Sequence, residues 1–160
     1  MTDDVGQRVA LWPAILLGVG LGGLWDGIVL HQILQWHHMV SEPVPPTTLA
    51  DLELNTLADG LFHGVAWLVT LLGAVLTWRT LPRARLDRPG SMLLGGLLLG
   101  WGLFNVIEGL IDHQLLGLHH VRPGPDALLW DLGYLAWGGA MAVAGGWLLR
   151  PAGRRSAVRP

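Results

Sequence analysis

The amino-acid sequence predicts an all-α membrane protein of four transmembrane helices, built as a tandem repeat of two helical hairpins. Three observations carry this expectation. The chain is 51% hydrophobic and 14% charged, whereas a soluble domain carries about 25% charged residues, so too little charge is present to cover a water-facing surface. Four apolar runs each reach the roughly 20 residues that cross a hydrocarbon core. Two of those runs share one polar pattern, at an offset of 82 residues.

The first helix is expected over about Leu11–Trp36, with Pro13 in its opening turn, where a missing N–H costs little. Pro43, Pro45 and Pro46 keep the connection over about 37–56 out of helical geometry. The second helix is expected over about Leu57–Trp78, and Pro82 and Pro89 bracket the next connection. The third runs over about Ser91–Leu118 and the fourth over about Ala127–Leu149, separated by Pro123 and Pro125. The repeats cover about 11–79 and 91–150, in a single membrane domain ending in a flexible basic tail, 151–160. Glycine permits close helix contact in lipid, and the run Gly95, Gly96, Gly100 and Gly102 fits that role. Trp12, Trp78 and Trp147 mark one membrane boundary and Trp36 and Trp130 the other, whereas Trp25, Trp67, Trp101 and Trp137 are expected to line the interior or donate hydrogen bonds.

Orientation follows from arginine, since lysine is absent. Arg8, Arg79, Arg83, Arg85, Arg88, Arg150, Arg154, Arg155 and Arg159 fall on one side, nine of ten basic residues, and Arg122 on the other. The positive-inside rule then places both termini in the cytoplasm and the first and last connections outside. Asp3 and Asp4 dilute the positive region that a cleavable signal requires, so the first apolar run reads as a retained helix. A net charge of -2 without a basic, aromatic-interleaved patch argues against a nucleic-acid partner. With no cysteine, disulfides, thiolate nucleophiles and thiolate metal sites are excluded. No Walker, Rossmann or nucleophile-elbow motif is present.

Residues 26–39 read DGIVLHQILQWHHM and residues 108–121 read EGLIDHQLLGLHHV. Asp26 pairs with Glu108, His31 with His113, Gln32 with Gln114, and His37-His38 with His119-His120. Gly18 and Gly20 find counterparts in Gly100 and Gly102. The second halves match less well: Asp59 and Asp131 both open a helix, but His63 faces Leu135. Two hairpins of one topology are related by a pseudo-twofold axis along the membrane normal, which gathers both polar sets at the outer side.

Ionisable groups within a membrane are costly and usually pair, or bind a metal, inside the protein. Helical rise puts His31, His63 and His113 at one depth, with Asp26 and Glu108 deeper and Asp59 and Asp131 shallower. The pairs His37-His38 and His119-His120 form a rim at the outer water boundary. His31 and His38, seven residues apart, share a helical face, as do His113 and His120. Asp26 and His31 are five apart, about 140° around an α-helix, so both cannot point at the bundle axis.

Imidazole with carboxylate suits copper, iron or zinc. The expected site takes His31, His63 and His113 as central ligands, with Asp26, Glu108, Asp59 and Asp131 as charge and His37, His38, His119 and His120 as rim ligands, for one metal ion or two. Four-helix di-iron proteins offer an architectural precedent, although their Glu-x-x-His motif is absent. The competing account is a buried polar network, with Asp59 and Asp131 as helix caps or dipole partners.

The segments WDGIVLHQILQWHHM, ADGLFHGVAW and FNVIEGLIDHQLLGLHH resemble a bacterial family of membrane proteins catalogued as domain of unknown function 2243, over Trp12 to Trp147. The resemblance implies four membrane helices in the bacterial inner membrane and brings no activity, substrate or catalytic residue. Such families occur near respiratory oxidase assembly factors, which points toward copper or haem handling and a respiratory or metal-handling partner. The reading carried forward is a transition-metal-binding membrane protein, in character a metal-dependent oxidoreductase or hydrolase, surrounded by the lipid bilayer and open to homo-oligomerisation. Its alternatives are a b-type haem cytochrome, with His31 and His113 as axial ligands, and a non-catalytic copper carrier or oxidase assembly factor.

Overall fold

The computed structural model describes residues 2–84 and 86–150. Arg85 and the tail 151–160, with Arg154, Arg155 and Arg159, lie outside the described residues. Four helices follow one another: α1 (Thr2–Trp25), α2 (Leu49–Thr80), α3 (Pro89–Glu108) and α4 (Ala127–Leu148). α1 continues directly into a π-helical segment, Asp26–Ile33, and α3 into another, Gly109–Leu115. The described residues contain no strand, and all four helices are long and apolar enough to cross a membrane.

Four boundaries depart most from expectation. α1 begins at Thr2, so Pro13 lies inside the helix rather than in its first turn. There it withholds the N–H that would bond Val9's carbonyl. α2 begins two turns before Leu57 because Thr48 caps it: the Thr48 hydroxyl accepts from the Asp51 N–H at 3.2 Å, and Asp51 accepts from the Thr48 N–H at 3.2 Å. This capping box is written in the sequence as Thr48-x-x-Asp51. It also places Asp59 well inside the helix, so Asp59 is not a cap. Finally, the helical stretches end at Ile33 and Leu115 rather than at 36 and 118.

Those two ends are built alike. Gln35 (φ 51°) and Gly117 (φ 56°) adopt the left-handed conformation that stops a helix. Beyond them, the Trp36 N–H reaches back to the Leu30 carbonyl at 3.0 Å and the Leu118 N–H to the Asp112 carbonyl at 2.8 Å. Left-handed backbone costs a residue with a Cβ about 1–2 kcal/mol, partly offset by glycine's extra entropy when unfolded. Gln35→Gly is therefore expected to stabilise the protein by up to about 1 kcal/mol, and Gly117→Ala to destabilise it by about 1 kcal/mol. Both are exposed positions, so thermal melts in detergent followed by circular dichroism read the backbone effect alone. Opposite signs are the required result.

The helices do not enclose a common axis as a four-helix bundle would. α1 packs against α3 at the centre, α2 lies along α1 and α4 along α3, while α2 and α4 do not meet among the described residues. Glycine sets these spacings. A Cβ on Gly18 would strike the Leu97 carbonyl, and one on Gly100 the Ile15 carbonyl, so the backbones of α1 and α3 touch at both places. Each contact is the other shifted by 82 residues. The flanking contacts also recur, with α2 and α4 offset by 72 residues: Gly20 against Thr70 and Gly102 against Ala142, Gly73 against Leu17 and Gly145 against Leu99. Away from these seams the surface is apolar. Trp67 and Trp137, expected inside, are each 56% exposed on the flanking helices.

Candidate metal centre

The centre forms where α1 and α3 widen into π geometry. A π turn closes i→i+5 hydrogen bonds, seen in Leu34 N–H to Val29 and Leu116 N–H to Ile111, both 2.8 Å. The wider turn carries residues five apart onto nearly the same face. Asp26 and His31, expected to diverge by about 140°, instead meet: His31 Nε2 lies 3.3 Å from Asp26 Oδ2. Glu108 and His113 do the same at 3.0 Å. π turns are rare and concentrate at functional positions.

The reversal after each π segment corrects the expected rim. The chain turns back at Gln35 and Gly117, which carries the first histidine of each pair inward: His37 is 3% exposed and His119 0%. Their rings stack in parallel at 4.4 Å. Each is tied to the other half, His37 Nδ1 donating to the Val121 carbonyl at 2.8 Å and His119 Nδ1 to the Met39 carbonyl at 3.1 Å. His38 and His120 stay at the edge, with 20% and 33% of the side chain exposed. They lie beyond the helix end, so they share no helical face with His31 and His113. They meet them through Asp59 and Asp131 instead.

Asp59 and Asp131 are gathering points. Asp59 accepts from His31 Nδ1 (2.9 Å), His38 Nδ1 (2.7 Å), the Met39 N–H (2.8 Å) and Gln32 (3.4 Å). Asp131 accepts from His120 Nδ1 (2.7 Å), the Val121 N–H (3.0 Å) and Gln114 (3.1 Å), with His113 Nδ1 at 3.4 Å. Both carboxylates are buried yet fully supplied with donors, which makes their charge tolerable.

These contacts favour a proton on Nδ1 of His31, His37 and His119. A neutral imidazole that donates from Nδ1 carries its lone pair on Nε2. His31, His37 and His119 all direct Nδ1 toward an oxygen, and His113 lies with Nδ1 toward Asp131. With the proton on Nδ1, Nε2 of each ring is left as a lone pair toward the interior, where Asp26 and Glu108 lie. Glu108 Oε1 is 3.0 Å from His113 Nε2 and 3.1 Å from His119 Nε2. At those distances a proton on Nε2 would hydrogen-bond to the carboxylate, and a metal ion held by the same atoms would take that proton's place. His37 is held neutral, its pKa pushed down to about 2 by burial and by His119 and His31 beside it, so its lone pair persists at any physiological pH. Ligand atoms of His31, His37 and His119 fall within 4.8 Å of one another, as do those of Glu108, His113 and His119.

His63 is not among these groups. Its Nδ1 donates to its own helix at the Asp59 carbonyl (2.6 Å), its ring centroid stands 6.4 Å from that of His31, and its Nε2 lies against Gly27, where a Cβ would collide with it. Two residues not singled out in the sequence flank the centre. Phe62 stacks on His31 at 5.8 Å, and Tyr134 tilts against His113 at 5.6 Å while its hydroxyl donates to Asn105 at 3.3 Å. Phe62 follows Asp59 by three residues and Tyr134 follows Asp131 by three, a correspondence readable from the sequence. At the outer edge the Arg122 guanidinium lies 5.4 Å and 5.5 Å from the ring centres of Trp36 and Trp130, a cation–π contact that joins the two connections.

Comparison with curated proteins and with solved structures finds no match. A family model described as "Predicted membrane protein (DUF2243)" matches residues 13–152. That span takes in all four helices from Pro13 onward and every residue of the centre, and the chain belongs to this family of membrane proteins.

Proposed function

We propose that the protein binds transition-metal ions in this centre and acts as a metal-dependent membrane oxidoreductase. One observation carries the reading: the Nε2 atoms of His31, His113 and His119 lie within 3.3 Å of the Asp26 and Glu108 carboxylates, with His37 grouped against His31 and His119, while the Nδ1 side of each ring faces an oxygen. Metal-ligating histidines are oriented in this way, by an outer acceptor that fixes tautomer and raises basicity. A purely hydrogen-bonded core would need His31 and His113 to donate from both nitrogens, as imidazolium, to two carboxylates each. The ligands are His31, His37 and Asp26 from one half and His113, His119 and Glu108 from the other, with Asp59 and Asp131 as outer partners. Copper, iron and zinc accept such a set, and iron or copper adds one-electron chemistry.

The packing supports bare ions over haem. The parallel stack of His37 on His119 fills the space between His31 and His113 that a macrocycle would need. A copper(I) carrier would be expected to present soft sulfur, and Met39 serves the centre through its backbone N–H and carbonyl. Recurrence of the contacts, at an offset of 82 residues from α1 to α3 and of 72 from α2 to α4, supports duplication of an ancestral hairpin, and the arginine distribution supports cytoplasmic termini with the centre toward the outer face.

Multi-element analysis with an optical spectrum, on detergent-purified protein, tests the reading. One or two equivalents of iron, copper or zinc without a Soret band are expected. Neither metal nor haem, even after reconstitution, would leave the polar packing network as the better account.

A further inference from the structure

The two halves of the centre correspond residue for residue in position, but not in chemistry. Resting on the metal reading above, we propose that they hold two ions of unequal affinity. The first fills Glu108, His113 and His119. The second, weaker and exchangeable, sits at Asp26, His31 and His37.

The difference begins with one methylene. Glu108 is long enough for a single oxygen to approach two imidazoles, at 3.0 Å and 3.1 Å, and its other oxygen, Oε2, is buried without a partner. Three ligands are therefore already assembled within 4.8 Å, and the spare oxygen allows bidentate binding, which completes four donor atoms. Asp26 is shorter. It approaches His31 at 3.3 Å, and the compact group on that side consists of His31 and His37 completed by His119. A histidine that presents one lone pair inward binds one ion. Once His119 serves Glu108's ion, the other half keeps three ligands and an open position, the arrangement that distinguishes reactive metal sites from closed structural ones.

The surroundings differ in the same sense. Beside Glu108, Asn105 and Tyr134 form a hydrogen-bonded pair one turn inward. The equivalent positions in the first half are Gly23 and Phe62, so that half supplies no such pair of its own. Pre-organised ligands lose less freedom on binding and hold their ion more tightly. The Asp26 half is left with two unpartnered buried ring nitrogens, His31 Nε2 and His37 Nε2, and with a carboxylate too short to close over the ion.

Cobalt(II) titration of the chelator-stripped full-length protein in detergent tests this, with d–d absorption and calorimetry as readouts. Two binding steps are expected, separated by at least about tenfold, 1.4 kcal/mol. Asp26→Asn should remove the weaker step and keep the tighter one, whereas Glu108→Gln should remove the tighter. Asp26→Glu, which supplies the missing methylene, should narrow the gap between the steps, a gain that misfolding cannot imitate. Two steps of equal affinity overturn the inference and leave the metal reading standing. So does a single ion that His31→Ala and His113→Ala weaken alike. Absence of any cobalt binding overturns the metal reading and this inference together.

Discussion

His119→Ala is expected to abolish metal retention at the Glu108 half, and His37→Ala at the Asp26 half, whereas His38→Ala and His120→Ala leave metal in place. The two members of each pair are adjacent in sequence and opposite in environment. His119 is buried, faces Glu108 at 3.1 Å and spends its other nitrogen on the Met39 carbonyl. His120 touches the centre through Asp131 alone, at 2.7 Å, with a third of its side chain exposed. Removing an outer partner typically costs about 10–100-fold in metal affinity, and removing a ligand from a three-ligand site should cost more. Inductively coupled plasma measurement of metal after dialysis gives the first readout. Melting temperature gives the second: metal at roughly 100 times Kd should stabilise the wild-type protein by about 2.7 kcal/mol, a shift that His119→Ala should lose and His120→Ala largely keep. Equal behaviour of His119→Ala and His120→Ala would show that burial within the pair does not mark the ligands.

Much of this arrangement is legible in the sequence, and the part that is not has an identifiable cause. The four spans follow from apolar length, and the correspondence of His31 with His113 and of Asp26 with Glu108 follows from the repeated motif. Reasoning with α-helical angles separates Asp26 from His31, because about 100° per residue over five residues leaves them far apart. The π segments remove that separation, and no pattern of apolar residues announces a π turn. The motif does contain the clue in another form: an acid five residues before a histidine, twice, is poor spacing for an α-helix and good spacing for a π-helix. His37 and His119 fall at the expected rim only when each helix is drawn through to 36 and 118, past its true end at Ile33 or Leu115. Gly117 marks that stop in the second half, as a left-handed glycine should, but Gln35 hides it in the first. The open order of the helices cannot be read at all, since it depends on which glycine meets which backbone. Gly18 and Gly100 look alike whether they face each other's helix or a flanking one.

Asp59→Asn and Asp131→Asn should each weaken metal binding by about 10–100-fold and destabilise the metal-free protein by about 3 kcal/mol or more, the cost of breaking a buried charged network by removing one partner. The reason lies in the donor count. Asp59 receives four donors on two oxygens: His31, His38, the Met39 N–H and Gln32. An amide offers one oxygen and an NH2, so whichever way the substituted side chain turns, its NH2 confronts an N–H. If it confronts His31, the imidazole can escape by moving its proton to Nε2, which turns the lone pair away from the interior and removes that ring as a ligand. If it confronts His38 or Met39, the turn that carries His37 inward loses its anchor. Asp131 stands in the same relation to His113, His120 and Val121, so the two substitutions should resemble each other in stability while each affects its own half's ion. A pure packing network predicts a different outcome, in which stability falls and cobalt affinity, measured at a temperature where both variants remain folded, does not change. The two effects together would tie Asp59 and Asp131 to the metal through the tautomers they impose, which is the one property of these buried carboxylates that a structural role does not require.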